Sequence, residues 1–167
     1  MQLTSKTFFQ TEVKKSKIHG RGLFTKENIA KGEKVAIKGG RIVDRKFIDN
    51  NPKIVKSSEL QIDDFHYIAP TNKEEFRKSM IYVNHSCEPN VGLGGKNVFI
   101  AIRNILKGEE VTADYGIFEN NDFKMICNCQ TKNCRKIITG KDWQKKSLQK
   151  KYGDYFAPYL LQKIKKH

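Results

Sequence analysis

Seven residues, Asn84 to Asn90 (NHSCEPN), set an amide, an imidazole, a hydroxyl and a thiol beside a rigid proline. Further along, CNCQTKNC from Cys127 to Cys134 crowds the other three cysteines of the chain into one loop, with the spacing CxCxxxxC. Adjacent-but-one cysteines bridge badly, and such a cluster in a reducing compartment holds a metal more often than disulfides. Zinc takes four soft or borderline ligands in a tetrahedron, so three thiolates from the loop need a fourth from elsewhere. Cys87 is the remaining cysteine and the candidate for that place. The alternative is a buried core thiol at Cys87, with the loop completed by His or water.

Three other phrases could carry chemistry. Gly20-Arg21-Gly22 follows His19 and precedes Leu23-Phe24, and its glycines would let the backbone approach a ligand closely, although a lone GxG is by default a turn. His85 and Asn84, taken singly, read as a hydrogen-bonded structural histidine and a loop amide. GEEVTADYG, Gly108 to Gly116, ends a predicted strand on Tyr115, by default a core aromatic with its hydroxyl satisfied.

These residues need a scaffold. The chain has 167 residues, 38% of them hydrophobic, enough for one compact domain with a sizeable core. No run of 18 apolar residues occurs, and MQLTSKTFFQ lacks the charged, apolar, small-residue succession of a secretory signal, so the expectation is a soluble protein; reduced cysteines point to cytoplasm or nucleus, and an effector delivered to a host nucleus would look the same. The net charge is +14 and uneven: between Lys132 and His167, eleven Lys or Arg face only Asp142 and Asp154. A basic tail of this kind can bind nucleic acid, an acidic protein or an anionic surface, or simply be solvated.

Gly/Pro punctuation without repeats favours many short strands. They are expected at Phe8–Val13, Gly22–Phe24, Lys34–Ile37, Arg41–Val43, Phe65–Ile68, Val98–Ile102 and Glu110–Ala113. Asn28-Ile-Ala-Lys-Gly-Glu33 and Asn104-Ile-Leu-Lys-Gly-Glu109 are alike, and each should place its glycine in a left-handed turn leading into a strand. Amphipathic helical patterns run over Lys46–Leu60, interrupted by Pro52, and over Lys141–Tyr152 and Phe156–Lys166.

In their order along the chain, HGRGLF, YVNHSCEPN, the GEEVTADYG strand and CxCxxxxC resemble the SET-domain protein lysine methyltransferases with a post-SET zinc motif, from about Lys14 to Lys136. The later ITGKDW and the helical tail look like the short, single-domain prokaryotic type. The resemblance implies a mainly β SET fold of several small, mostly antiparallel sheets, a pseudoknot in which a C-terminal segment passes through a loop, and short helices. It divides the chain into a SET domain (1–118), a post-SET zinc segment (119–140) and a basic helical tail (141–167).

The family transfers methyl from S-adenosyl-L-methionine to a lysine amine, the two substrates entering from opposite faces and meeting in a narrow channel. By that likeness His19, Gly20, Arg21 and Gly22 lie along the cofactor through backbone contacts, Asn84 and His85 hold its two ends, and Tyr82 is an aromatic beside it. Tyr115 matches the catalytic tyrosine. Tyr67 stands where a channel aromatic is expected, although Ile-Ala-Pro follows it in place of the commoner Asp-Ala. Ala113 stands where many members have Phe or Tyr, which leaves the number of methyl groups transferred open.

A structural Zn2+ on Cys87, Cys127, Cys129 and Cys134 is implied, and Ile137, Ile138 and Trp143 are candidates for a pocket wall or for ordinary packing. The implied partner is a lysine-containing protein, such as a histone, another chromatin-like protein or a ribosomal protein. No membrane is involved, and monomer or small homo-oligomer stays open. Glu59, Asp63, Asp64, Glu74 and Glu75 cluster in the segment that flanks the substrate groove by the same likeness. The alternative is a non-catalytic basic module that binds nucleic acid or ribonucleoprotein.

Overall fold

The computed structural model describes residues 4–79 and 82–166. Thirteen short strands and five helices alternate along it. The first half holds β1 (Lys6–Thr7), β2 (Thr11–Lys15), β3 (Arg21–Thr25), β4 (Lys34–Ile37), β5 (Arg41–Asp44), α1 (Arg45–Asn50), α2 (Pro52–Val55), β6 (Leu60–Gln61), β7 (His66–Ala69) and α3 (Lys73–Ser79). The second half holds β8 (Asn84–His85), β9 (Val91–Leu93), β10 (Val98–Ala101), β11 (Glu110–Ala113), β12 (Lys124–Ile126), β13 (Ile137–Thr139), α4 (Lys146–Tyr152) and α5 (Pro158–Lys166).

The two similar turn phrases build the centre of the fold as a matched pair. Ile29 and Ile105 form a reciprocal antiparallel bridge, each N–H donating to the other's carbonyl at 2.9 Å. The preceding asparagines cross over: Asn104 Oδ1 accepts from Lys31 N–H, and Asn28 Oδ1 from Lys107 N–H. Gly32 and Gly108 sit at φ 92° and 89°, the left-handed region in which glycine avoids the Cβ penalty. Each turn feeds a strand: β4, whose Val35 and Ala36 are 0% exposed, and β11, whose Val111 and Ala113 are also 0% exposed.

The main sheet runs β1-β4-β10-β9-β11-β3-β2, with β8 also on β11. Pairings are antiparallel except that β8 and β9 lie parallel to β11. A three-stranded sheet β5-β7-β6 and a two-stranded sheet β12-β13 complete the β structure, so the chain is mainly β, in several small sheets.

The Phe8–Val13 strand is interrupted, because the chain bends at Phe8 and Phe9 so that β1 pairs with β4 and β2 with β3. Pro52 divides the Lys46–Leu60 helix. Asp44 caps α1 by accepting from Phe47 N–H, and the proline, with no N–H to lose, opens α2.

The C-terminal segment is built into the core rather than appended to it. Trp143, Leu148, Tyr152, Phe156 and Leu160 bury their side chains in the cluster that holds Val35, Leu93, Ile105 and Val111. Lysines occupy the outer faces of α4 and α5. Burying a side chain of that size contributes roughly 1.5–3 kcal/mol relative to leaving it exposed.

Candidate active site and metal centre

A cavity of about 1230 Å³ opens between the His19–Arg21 turn, the approach to β8, the Tyr115–Phe123 segment and the α2–β6 connection. Backbone hydrogen bonds hold its first wall. Gly20 takes φ +47°, and Ser16 N–H donates to Gly20 O at 3.0 Å. A Cβ on Gly22 would run into the Glu110 carboxylate, so a larger residue there would have to displace that side chain from Ser16 Oγ and Asn84 Nδ2. Asn84 Nδ2 binds this turn to the sheet: it donates to His19 O (3.1 Å), Arg21 O (3.0 Å) and Glu110 Oε1 (2.8 Å). Tyr82, at the unusual φ of 51°, accepts from Leu23 N–H through its carbonyl and lies under the Arg21 guanidinium, 5.5 Å from the ring centre.

Asn90, which the sequence reading leaves without a role, holds the other end of NHSCEPN. Its Oδ1 accepts from Thr112 N–H (2.9 Å) and its Nδ2 donates to Glu110 O (2.8 Å), so one side chain imitates a strand neighbour for β11. With β8 and β9 both on β11, the loop sits beside the end of that strand, two residues before Tyr115.

His85 is 2% exposed, and burial lowers its pKa to about 4, against the opposing pull of Asp114. Neutral, it accepts the Tyr115 N–H at Nδ1 (3.1 Å), which leaves Nε2 as the protonated nitrogen, 3.5 Å from Cys87 Sγ. Tyr115 packs edge-on against that ring at 5.3 Å and tilted against Phe118 at 5.4 Å. Its hydroxyl donates to Val83 O at 3.0 Å. Burial, reinforced by the Glu119, Glu59 and Glu110 charges, pushes this phenol well above its ordinary pKa. It stays a neutral phenol whose proton is committed to Val83 and whose oxygen lone pairs remain for an incoming donor.

The cavity therefore gathers His19, Gly20, Arg21, Tyr82, Asn84, His85 and Tyr115 on its surface. Gly22 lies just behind, in β3. Tyr67 also borders it, 2% exposed and packed on Ile48, Val55 and Ala69. Aromatic rings and backbone carbonyls border the cavity, a lining suited to a ligand that combines a heteroaromatic ring with a soft positive centre. The outer wall comes from Phe123, Met125 and Ile126. Ile138 is instead buried with the cysteines, Trp143 in the main core with its Nε1 donating to Asn120 Oδ1 (2.8 Å), and Ile137 is 46% exposed.

The four cysteine sulfurs lie within 4.8 Å of one another, with Cys87 Sγ and Cys127 Sγ 3.8 Å apart. A zinc ion with bonds of about 2.3 Å in a tetrahedron needs its sulfurs about 3.8 Å apart. Backbone N–H groups point at the sulfurs: Arg135 at Cys87 (3.3 Å), Cys129 at Cys127 (3.5 Å) and Lys136 at Cys134 (3.4 Å). Burial pushes the Cys87 thiol up to about 11, whereas Cys129, although buried, is drawn down to about 6 by hydrogen bonds led by Thr131. Buried thiols with donors aimed at them are matched to a cation that would hold them as thiolates, and the residues fit zinc. With all four positions taken by sulfur, the site would be structural.

Arg135, adjacent to Cys134, was not singled out by the sequence reading. Its guanidinium clasps Asp114 through both terminal nitrogens (2.6 and 2.7 Å) and reaches Asp142 through Nε (3.0 Å). Asp114 is 0% exposed, and Arg135 overcomes the effect of burial to hold its carboxyl below the usual range; it also accepts from Tyr152 Oη (2.8 Å). One side chain thus ties the cysteine loop to the residue before Tyr115 and to Asp142, ahead of α4.

A family profile described as SET domain matches residues 20–116. Human histone-lysine N-methyltransferase 2B is 35% identical over 139 residues, covering 75% of this chain and 5% of that protein. The Drosophila melanogaster histone-lysine N-methyltransferase trithorax is 34% identical over 136 residues, covering 74% of this chain and 4% of that protein. The Schizosaccharomyces pombe histone-lysine N-methyltransferase, H3 lysine-4 specific, is 35% identical over 133 residues, covering 72% of this chain and 14% of that protein. The chain thus spans a small fraction of each of these relatives. The crystal structure of the methyltransferase domain of human histone-lysine N-methyltransferase SETMAR superposes with a TM-score of 0.59 at 22% identity, covering 78% of this chain and 58% of that one, a likeness of fold.

Proposed function

The chain belongs to the SET-domain family, and from that premise we propose that it is a protein-lysine N-methyltransferase, with S-adenosylmethionine as donor and a lysine side chain of a protein as acceptor. The observation that carries the reading is the convergence of the His19–Arg21 turn, Asn84, His85 and Tyr115 on one cavity. By analogy with the relatives' names, the acceptor is a histone or another basic protein. The corresponding location is nuclear or cytoplasmic. Among the described residues no helix is long and apolar enough to cross a membrane.

S-adenosylmethionine, when bound, supplies a methyl group on a positively charged sulfur. The transfer is an in-line displacement with a neutral leaving group, so the protein's task is to align and desolvate; positioning of this kind can supply up to roughly 7–11 kcal/mol in ideal cases. His19, Gly20 and Arg21 would bind through their backbone, and Asn84 would keep that turn against β11. The Tyr115 oxygen, its own proton turned to Val83, would orient the amine and meet the polarised methyl through weak contacts, each worth under about 1 kcal/mol. A zinc ion on Cys87, Cys127, Cys129 and Cys134 would brace the wall that carries Phe123 and Met125.

The test is incubation of wild type and Tyr115→Phe with labelled S-adenosylmethionine and a panel of histones, ribosomal proteins and basic DNA-binding proteins. Wild type is expected to label a lysine, located by mass spectrometry, and the variant to lose at least tenfold in rate while it still binds the cofactor. Equal labelling by the two proteins would remove Tyr115 from the reaction. A wild type that binds no cofactor and labels nothing would overturn the reading.

A further inference from the structure

The acidic residues in and around the cavity, of which Glu59, Asp64, Glu119 and the exposed Asp122 line it, differ in how far their charge is already used. Asp63 accepts from the Phe65 and His66 N–H groups and pairs with the His66 ring. Glu75, 4% exposed, is held by Arg41 Nε (2.6 Å) and by both Thr71 donors. Asp64 binds Lys163 (2.8 Å) and Asn120 (3.0 Å). Glu119 accepts from Asn121 (2.8 Å), and burial, then the charge of Glu59, raises its pKa to about 8, so it is a neutral acid at physiological pH. Glu59 is different: among the described residues its Oε2 is the one buried side-chain oxygen or nitrogen with no hydrogen-bond partner.

That oxygen belongs to a residue lining the cavity that also holds Tyr115. Glu59 acts electrostatically on three side chains of the same cavity, Tyr115, Glu119 and Lys38. Lys38 directs its ammonium at its neighbour's carbonyl, Gly39 O (3.0 Å), and burial lowers its pKa to about 8. A carboxylate oxygen withdrawn from water with no donor is unfavourable unless something binding there supplies one. What that oxygen lacks is a hydrogen-bond donor, and since Lys38 interacts with Glu59 through charge without bonding Oε2, a donor arriving through the cavity would complete the site. A primary ammonium on an alkyl stem is such a donor.

We propose that Glu59 is the counter-ion that receives the substrate lysine's ε-ammonium in the cavity that Tyr115 also lines, the lysine then giving its proton to solvent before the neutral amine takes the methyl group. The inference rests on the methyltransferase reading and adds the group that recognises the acceptor. It also gives a basic protein a local acceptor for a basic substrate: a half-buried carboxylate with one oxygen withdrawn from water and unpartnered, beside Lys38. An alcohol or thiol acceptor would leave the carboxylate without its ion partner.

Glu59→Gln keeps the shape and removes the charge, and Glu59→Asp keeps the charge at shorter reach. On the protein best labelled by wild type, Glu59→Gln is expected to raise KM at least tenfold with kcat within about threefold, Glu59→Asp to recover part of that loss, and the S-adenosylmethionine affinity of both variants, measured by calorimetry, to stay at the wild-type value. KM within about threefold of wild type in Glu59→Gln would overturn the inference and leave the methyltransferase reading intact. Loss of cofactor affinity in Glu59→Gln would overturn it too, by assigning Glu59 to the cofactor. A wild type that neither binds the cofactor nor labels any protein would overturn the reading, and the inference with it.

Discussion

Glu119 lies 7% exposed beneath the cavity, and its position gives the protein a pH dependence that can be signed. Folded, it keeps its proton up to about pH 8; unfolded, it ionises near the ordinary value of 4.5. Between these values the unfolded chain holds fewer protons than the folded one, so the stability contributed by this group falls as pH rises. His85 works in the opposite sense at lower pH, because its folded pKa of about 4 lies below the ordinary 6.5. Above about pH 6.5 the Glu119 effect is therefore the cleaner of the two. Glu119→Gln keeps an acceptor for Asn121 and cannot ionise. Thermal melts of both proteins should show the variant gaining on wild type between about pH 6.5 and 8; a difference that stays constant with pH would show that Glu119 ionises freely in the fold.

At the scale of elements, the β12–β13 pair depends on the cysteine centre beneath it. Only the Lys124–Ile126 and Ile137–Thr139 pairing joins the two strands, Ile126 and Ile137 are 76% and 46% exposed, and apolar packing from Met125 and Ile138 is shared with the cysteines. Two-stranded sheets of this size are marginal in water alone. With zinc on the four thiolates, a chelator would accelerate amide exchange first across residues 124–139 and weaken cofactor affinity, while the main core around Val35, Val111 and Leu160 keeps its protection. Uniform loss of protection throughout the chain would show the metal holding the whole fold. The Arg135 clasp on Asp114 and Asp142 is the path by which loosening would reach Tyr115.

For the whole molecule, the net charge of +14 sets the long-range field. Lysines cover the outer faces of α4 and α5, and a basic substrate would approach against that field. Screening falls to a Debye length of about 8–10 Å at physiological salt. Raising salt from about 20 to 150 mM should therefore lower KM for a basic protein substrate. If the basic surface serves nucleic acid, retention on DNA should instead fall steeply over the same range. A salt series on both ligands separates the two, and a KM that rises with salt would identify an acidic surface on the substrate.

Much of this was legible along the chain because it is local. The Ile-Ala-Lys-Gly-Glu and Ile-Leu-Lys-Gly-Glu turns, β4 and β11 at the expected residues, the helix break at Pro52 and the crowding of Cys127, Cys129 and Cys134 all follow from backbone sterics and short-range spacing. Strands of two or three residues, such as β6, β8 and β9, carry too little alternation to read, because their pairing comes from distant partners rather than from their own pattern. The sequence by itself determined which residues could do chemistry: the motif order, the four thiols and the basic surface. Only the tertiary structure decided which of them meet. It brought Cys87 to the loop beginning at Cys127, gave Arg135 its two carboxylates, packed the basic tail into the core, and left Glu59 with a buried, unpartnered oxygen, because burial and partnership are properties of what surrounds a side chain.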